Sequence, residues 1–133
     1  MKVVLDEGVP RQMAKALVEK GFEASRFPPE WIGTRNGDLI EALGRLGIDI
    51  LLTNDKNIAN QQGLRGRTVS VVALQQNKRS AIFERVDDIV DTLREARPGQ
   101  HIMMGWDGRR TSTRTIDGEE VREDLHPIPR FEA

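Results

Sequence analysis

Two short apolar runs that each end in acids constrain this chain more than any other feature: Val3-Val4-Leu5 before Asp6-Glu7, and Ile50-Leu51-Leu52 before Thr53-Asn54-Asp55. Neither run alternates with polar residues, as a strand wetted on one face would. Continuous runs of this kind read as strands buried on both faces, the pattern of a parallel sheet covered by helices. Open sheets of that class build their sites outside the carboxyl ends of the strands. Asp6 and Asp55 leave their strands at that edge, so adjacent strands would bring two carboxylates close together. Their repulsion calls for a divalent cation or a shared proton.

Between and beyond these strands the pattern alternates. Pro10 suits the first turn of a helix, and Met13, Ala14, Ala16, Leu17 and Val18 form an apolar stripe that stops at Gly21. Phe22 to Phe27 alternates like a strand, and Pro28-Pro29 ends it in a loop through Trp31 and Gly33. A second helix is predicted from Asn36, with Leu39, Ile40, Leu43 and Leu46 on one face. The strand Asp49 to Thr53 follows, then an irregular polar segment from Asn57 to Arg67 and the strand Val69 to Leu74. A helix of about Ser80 to Arg94 and a last strand near His101 to Trp106 complete the pattern. This order predicts a three-layer α/β/α sandwich around a mostly parallel five-stranded sheet. For the acidic ends to meet, the strand order should be 2-1-3-4-5, with the switch point between the two acidic strands. Residues 1–106 make up the expected domain. Residues 107–133 lack a core pattern and read as a polar appendage, partly disordered or partner-binding, with a hairpin around Asp117-Gly118 as one form for it.

With 133 residues, the chain suits one domain with a real core. Its formal net charge of −1 gives no global positive field, so any nucleic-acid contact must be local. The absence of cysteine excludes disulfides, thiolate metal sites and cysteine nucleophiles, and fits a reducing compartment. No stretch approaches the roughly 20 apolar residues of a membrane span, and Asp6 interrupts the first apolar run before a signal sequence can form. The expectation is a soluble cytoplasmic protein with no membrane contact.

Asp6 and Asp55 head the candidate site residues. Asp6 also fits a helix N-cap or first-turn charge ahead of Pro10, and Asp55 also fits turn chemistry. A hard cation such as Mg²⁺ prefers oxygen ligands, which calls for a third carboxylate. Asp38 supplies it from the first turn of the second helix, where dipole compensation is the competing role. Glu7 and Glu41 stand beside these acids, and Thr53, Asn54, Lys56 and Asn57 surround Asp55 as supporting groups. His101 and His126 lack metal-ligand spacing and read as packing or surface residues. Trp31 could stack on a base or cover the sheet edge. Arg65, Arg67, Lys78 and Arg79, with Arg109, Arg110 and Arg114, could line a phosphate track or form a solvated face. The amides of Gln61 and Gln62 suit bonds either to a substrate or to their own loop.

Taken in order, Val3-Val4-Leu5-Asp6-Glu7-Gly8-Val9-Pro10, Asn36-Gly37-Asp38-Leu39-Ile40 and Leu51-Leu52-Thr53-Asn54-Asp55-Lys56-Asn57, with Gln61-Gln62 and Val71-Val72-Ala73-Leu74 behind them, make a recognisable set. Over about the first 105 residues the chain resembles the PIN-like family of small bacterial toxins of toxin-antitoxin pairs. The resemblance implies a ribonuclease, a hydrolase that depends on Mg²⁺ or Mn²⁺, in which Asp6, Asp38 and Asp55 are both the metal-binding and the catalytic acids. It implies RNA as substrate and an antitoxin protein as partner, and it admits a homodimer, for which no apolar patch marks a surface. Two departures from the family stand out: Lys56 and Asn57 stand where a further acid is frequent, and Gly8 stands where Asn is frequent. A non-catalytic PIN-like module that binds an antitoxin or another partner is the alternative. A phosphoacceptor receiver would need a lysine at the end of the last strand, and residues 101–106 contain none.

Overall fold

The computed structural model describes residues 1–6, 8–26, 36–54, 64, 68–75 and 78–129. The chain runs β1 (Lys2–Leu5), α1 (Arg11–Glu19), β2 (Glu23–Arg26), α2 (Asn36–Arg45), β3 (Ile50–Thr53), β4 (Ser70–Leu74), α3 (Arg79–Phe83), α4 (Val86–Glu95), β5 (His101–Met104), β6 (Arg110–Ile116) and β7 (Glu119–Leu125). The strands form a single sheet in the order β2-β1-β3-β4-β5-β6-β7. The first five are parallel to one another, and β6 and β7 are antiparallel additions. The expected order 2-1-3-4-5 is therefore present, within a sheet of seven strands instead of five.

Both faces of the central strands are covered, which explains their unbroken apolar runs. On one face Val3, Leu5, Ile50, Leu52, Val72, Leu74, Ile102 and Met104 pack with Met13 and Leu17 of α1, Ile82 of α3 and Ile89, Val90 and Leu93 of α4. On the other, Val4, Leu51 and Val71 pack with Leu39, Ile40 and Leu43 of α2 and with Leu64. Each fully buried side chain of this size contributes roughly 1.5–3 kcal/mol relative to exposure. Among the described residues, no helix is long and apolar enough to cross a membrane.

The helix ends follow from local sequence. α1 begins after Pro10, whose φ of −55° precedes the helical turn. It ends where Gly21 takes a φ of +96°, which lets Phe22 N–H reach back to the Leu17 carbonyl at 3.0 Å. α2 stops at Arg45 and closes with Ile48 N–H on the Leu43 carbonyl, at 3.0 Å. Leu46 consequently falls off the predicted apolar face and is 55% exposed, and Val18 of α1 is likewise exposed.

The helix predicted over Ser80 to Arg94 is two helices. Arg85 breaks it with φ −110° and ψ 30°, and its guanidinium explains why. Nε donates to Asp88 Oδ2 at 2.8 Å, while Nη1 donates to the Pro129 carbonyl, also at 2.8 Å. Anchoring this side chain through two nitrogens offsets the lost helical turn, and Phe83 at the end of α3 is exposed.

Residues 110–125 form the hairpin β6–β7 around Asp117 and Gly118 and extend the sheet past β5. Polar contacts tie it down. Arg110 is 4% exposed, with Nη1 on Thr92 Oγ1 at 3.1 Å and on Glu95 Oε2 at 3.3 Å, and Nε on the His126 carbonyl at 2.8 Å. Buried Gln100 receives Arg97 N–H on Oε1 at 2.8 Å and donates from Nε2 to Ser112 Oγ. Ile128 N–H returns to the Gly108 carbonyl at 2.9 Å, which ties residues 126–129 back to the turn between β5 and β6.

Candidate functional site at the carboxyl ends of the central strands

β1 and β3 are parallel neighbours with Leu5 opposite Leu52, so the two acid-bearing ends leave the sheet side by side. The ladder continues one step beyond β1, because Asp6 N–H donates to the Leu52 carbonyl at 3.0 Å. Side-chain alternation then turns Asp6 and Thr53 onto the same face, the one covered by α2. There Thr53 Oγ1 donates to Asp6 Oδ2 at 2.5 Å. Thr53 is fully buried and Asp6 half-buried. A second tie joins the same ends one step further out, where Asn54 Nδ2 donates to the Gly8 carbonyl at 3.0 Å. A side chain at Gly8 would place its Cβ 2.0 Å from Asn54 Oδ1, so the absence of one permits this approach.

These contacts bear on the capping role that the sequence also allowed for Asp6. Its carboxylate does not cap α1, whose N-cap is Pro10 without a side-chain bond. One carboxylate oxygen is oriented by a neutral hydroxyl; the other takes no hydrogen bond among the described residues, and no salt bridge involves Asp6 there. Asp38 lies in the first turn of α2, the helix that covers this face, and is exposed with no ion pair among the described residues. α2 follows β2 and so starts at the sheet edge where the strands end. Glu41 is turned to its own helix: its Oε1 meets Arg45 Nη2 at 2.5 Å. Glu7, Trp31, Asp55, Lys56, Asn57, Gln61, Gln62, Arg65 and Arg67 lie outside the described residues.

Asp6 and Asp38 both carry carboxylate oxygens, the donor type a hard cation prefers, and neither is paired with a cation among the described residues. Among the described residues, no group of three or more His, Cys, Asp or Glu is placed to hold a metal ion.

Gln75, Trp106 and Asp107, also at this edge, escaped the sequence reading as site residues. At the end of β4, Gln75 N–H donates to the Met104 carbonyl at 2.9 Å, and its Oε1 accepts from Trp106 N–H at 3.4 Å. Trp106 is 51% exposed just past β5. Asp107 accepts from Arg109 N–H at 3.0 Å and pairs with the Arg109 guanidinium at 3.6 Å. The available signal was position, since Gln75 directly follows β4 and Trp106 and Asp107 lie two and three residues beyond β5. No family model, curated protein or solved structure matches this chain.

The arginines after the core do not form one track. Arg110 is consumed inside the hairpin anchor, and Arg109 faces Asp107 in the turn. Arg114 lines a cavity of about 530 Å³ with Arg97 and Glu123, near the start of β5 and so at the opposite edge of the sheet from Asp6. Lys78 precedes α3. His101 is half-buried in β5, where desolvation lowers its pKa from 6.5. His126 is exposed, and only its carbonyl is used in the anchor.

Proposed function

We propose that this protein is a metal-dependent endoribonuclease-like toxin of a toxin-antitoxin pair, acting on RNA phosphodiesters at the β1–β3 edge. The observation that carries the reading is the hydrogen bond from Thr53 to Asp6. It joins the Thr-x-Asp strand end to the Asp-Glu strand end, and Thr53-Asn54 leads directly into Asp55 in the sequence.

In this reading Asp6, Asp38 and Asp55 hold Mg²⁺ or Mn²⁺. The bound cation supplies an activated water and stabilises charge on the phosphoryl oxygens. Thr53 orients the Asp6 carboxylate by donating to one of its oxygens, which leaves the other for the ligand. The exposed Trp106 indole offers a base-stacking surface at the same edge, and Lys56 a phosphate contact.

The test is cleavage of a structured RNA by the purified protein with Mn²⁺, Mg²⁺ or EDTA, beside Asp6→Asn and Asp55→Asn. Metal-dependent cutting lost in both variants is the expected result. Absence of cutting, or cutting that survives either substitution, favours the non-catalytic module. The presence of Lys56 and Asn57 where a further acid is frequent is the feature that supports that second reading.

A further inference from the structure

The last strand leaves one edge of the sheet open. β7 has β6 on one side and, among the described residues, no strand on the other. The turn that feeds it determines which backbone groups face outward. Ile116 pairs with Glu119 across Asp117 and Gly118, whose φ values are 51° and 80°. Two central residues with positive φ make a type I′ hairpin, in which the closing pair exchanges both ladder hydrogen bonds. Alternation along the ladder then turns the N–H and C=O groups of Glu119, Val121, Glu123 and Leu125 toward β6. Those of Glu120, Arg122 and Asp124 point away from it.

The side chains of this edge carry four carboxylates and one guanidinium, and all five are exposed. None of Glu119, Glu120, Arg122, Glu123 and Asp124 forms a salt bridge or side-chain hydrogen bond among the described residues. Edge charges protect against indiscriminate strand pairing, and here their arrangement also selects the partner. In antiparallel pairing with a second copy, outward-facing residues must oppose outward-facing residues. Centring the pair on Arg122 sets Arg122 against itself and Glu120 against Asp124. Sliding it toward Glu123 sets Glu123 against itself, and sliding it the other way sets Glu119 against Glu123. Each of these registers holds a like-charge pair, which is destabilising in a sheet.

We propose that β7 is a docking edge for an extended basic segment of a partner protein, which adds to the sheet as an eighth strand. Main-chain bonds to Glu120, Arg122 and Asp124 supply the attachment, and alternate side chains supply the choice of partner. Cationic residues stand opposite Glu119 and Glu123 on one face and opposite Glu120 and Asp124 on the other. An apolar residue covers Val121, which is 37% exposed, and an acid meets Arg122. This surface is separate from the Asp6 edge and does not depend on the activity proposed there.

The probe is a synthetic peptide, Val-Lys-Lys-Glu-Val-Lys-Lys, the antiparallel complement of residues 119–125, with Val-Glu-Glu-Lys-Val-Glu-Glu as the charge-reversed control. Backbone amide exchange is read by NMR on the full chain. The first peptide is expected to slow exchange at Glu120, Arg122 and Asp124 by roughly tenfold or more, and the control to leave it unchanged. Arg122→Pro deletes one outward N–H and no bond to β6, so it should weaken binding while Glu119, Val121 and Glu123 stay protected. The double variant Glu120→Lys, Asp124→Lys should invert the preference between the peptides. No slowing, or equal slowing by both peptides, overturns the proposal. Slowing that appears without peptide and grows with protein concentration also overturns it, and assigns the edge to a second copy.

Discussion

Thr53 shows how one hydroxyl can position a candidate ligand. It is fully buried, its Oγ1 donates to Asp6, and replacement by valine keeps the shape while leaving that carboxylate oxygen without a donor among the described residues. Thr53→Val should cost about 1–2 kcal/mol in chemical denaturation, since hydrogen bonds to charged groups exceed neutral ones. An unchanged midpoint would mean that water replaces the hydroxyl without loss. His101 makes the second prediction at this scale. Its Nε2 is buried with no hydrogen-bond partner among the described residues, and burial holds its pKa below 6.5. The unfolded chain therefore binds the proton first as the pH falls. The stabilisation is fully present above about pH 6.5, is lost as the pH drops toward the lower folded-state value, and does not change further below it. Denaturation midpoints measured between about pH 8 and pH 5 should show this decline, and His101→Gln should flatten it.

At the scale of elements, the hairpin is held by polar anchors instead of an apolar face. Arg110 joins β6 to Thr92 and Glu95 of α4 and to the His126 carbonyl. Arg110→Ala should destabilise the protein by about 2–3 kcal/mol, less than a fully buried pair would lose because Glu95 remains partly in water. Amide exchange should rise in residues 126–129 and β7 more than in β1 or β3. Uniform loosening would show that the anchor serves the whole sheet. The same logic explains the break between α3 and α4. Arg85 finds partners in Asp88 and in the distant Pro129 carbonyl, a combination available only once the tail has folded back.

At the scale of the molecule, the parallel half of the sheet sets Asp6 beside Thr53 at one edge, while its antiparallel extension presents an acidic strand at the far end of the sheet. On the proposed reading, a cation held by Asp6, Asp38 and Asp55 binds only the folded state and stabilises it by mass action. Millimolar Mg²⁺ should therefore raise the Tm by about 2–5 °C, and Asp6→Asn should abolish the shift. An identical rise in wild type and Asp6→Asn would detach the metal from this edge.

The sequence by itself determined the α/β class, the parallel core, the strand order 2-1-3-4-5 and the meeting of the β1 and β3 ends. Those properties rest on local signals: continuous apolar runs for doubly covered strands, and a 3.6-residue stripe for each crossover helix. The hairpin around Asp117-Gly118 was legible as a turn, but the extension of the sheet to seven strands was not. Arg110, Gln100, Ser112 and Thr113 are buried there through hydrogen bonds and strand pairing, so no hydrophobic period marks their strand. The outward turn of Val18, Leu46 and Phe83, the division of the helix at Arg85 and the pairing of Asp6 with Thr53 were likewise decided by tertiary structure. Each depends on which distant group becomes a neighbour, and one-dimensional periodicity carries no record of that.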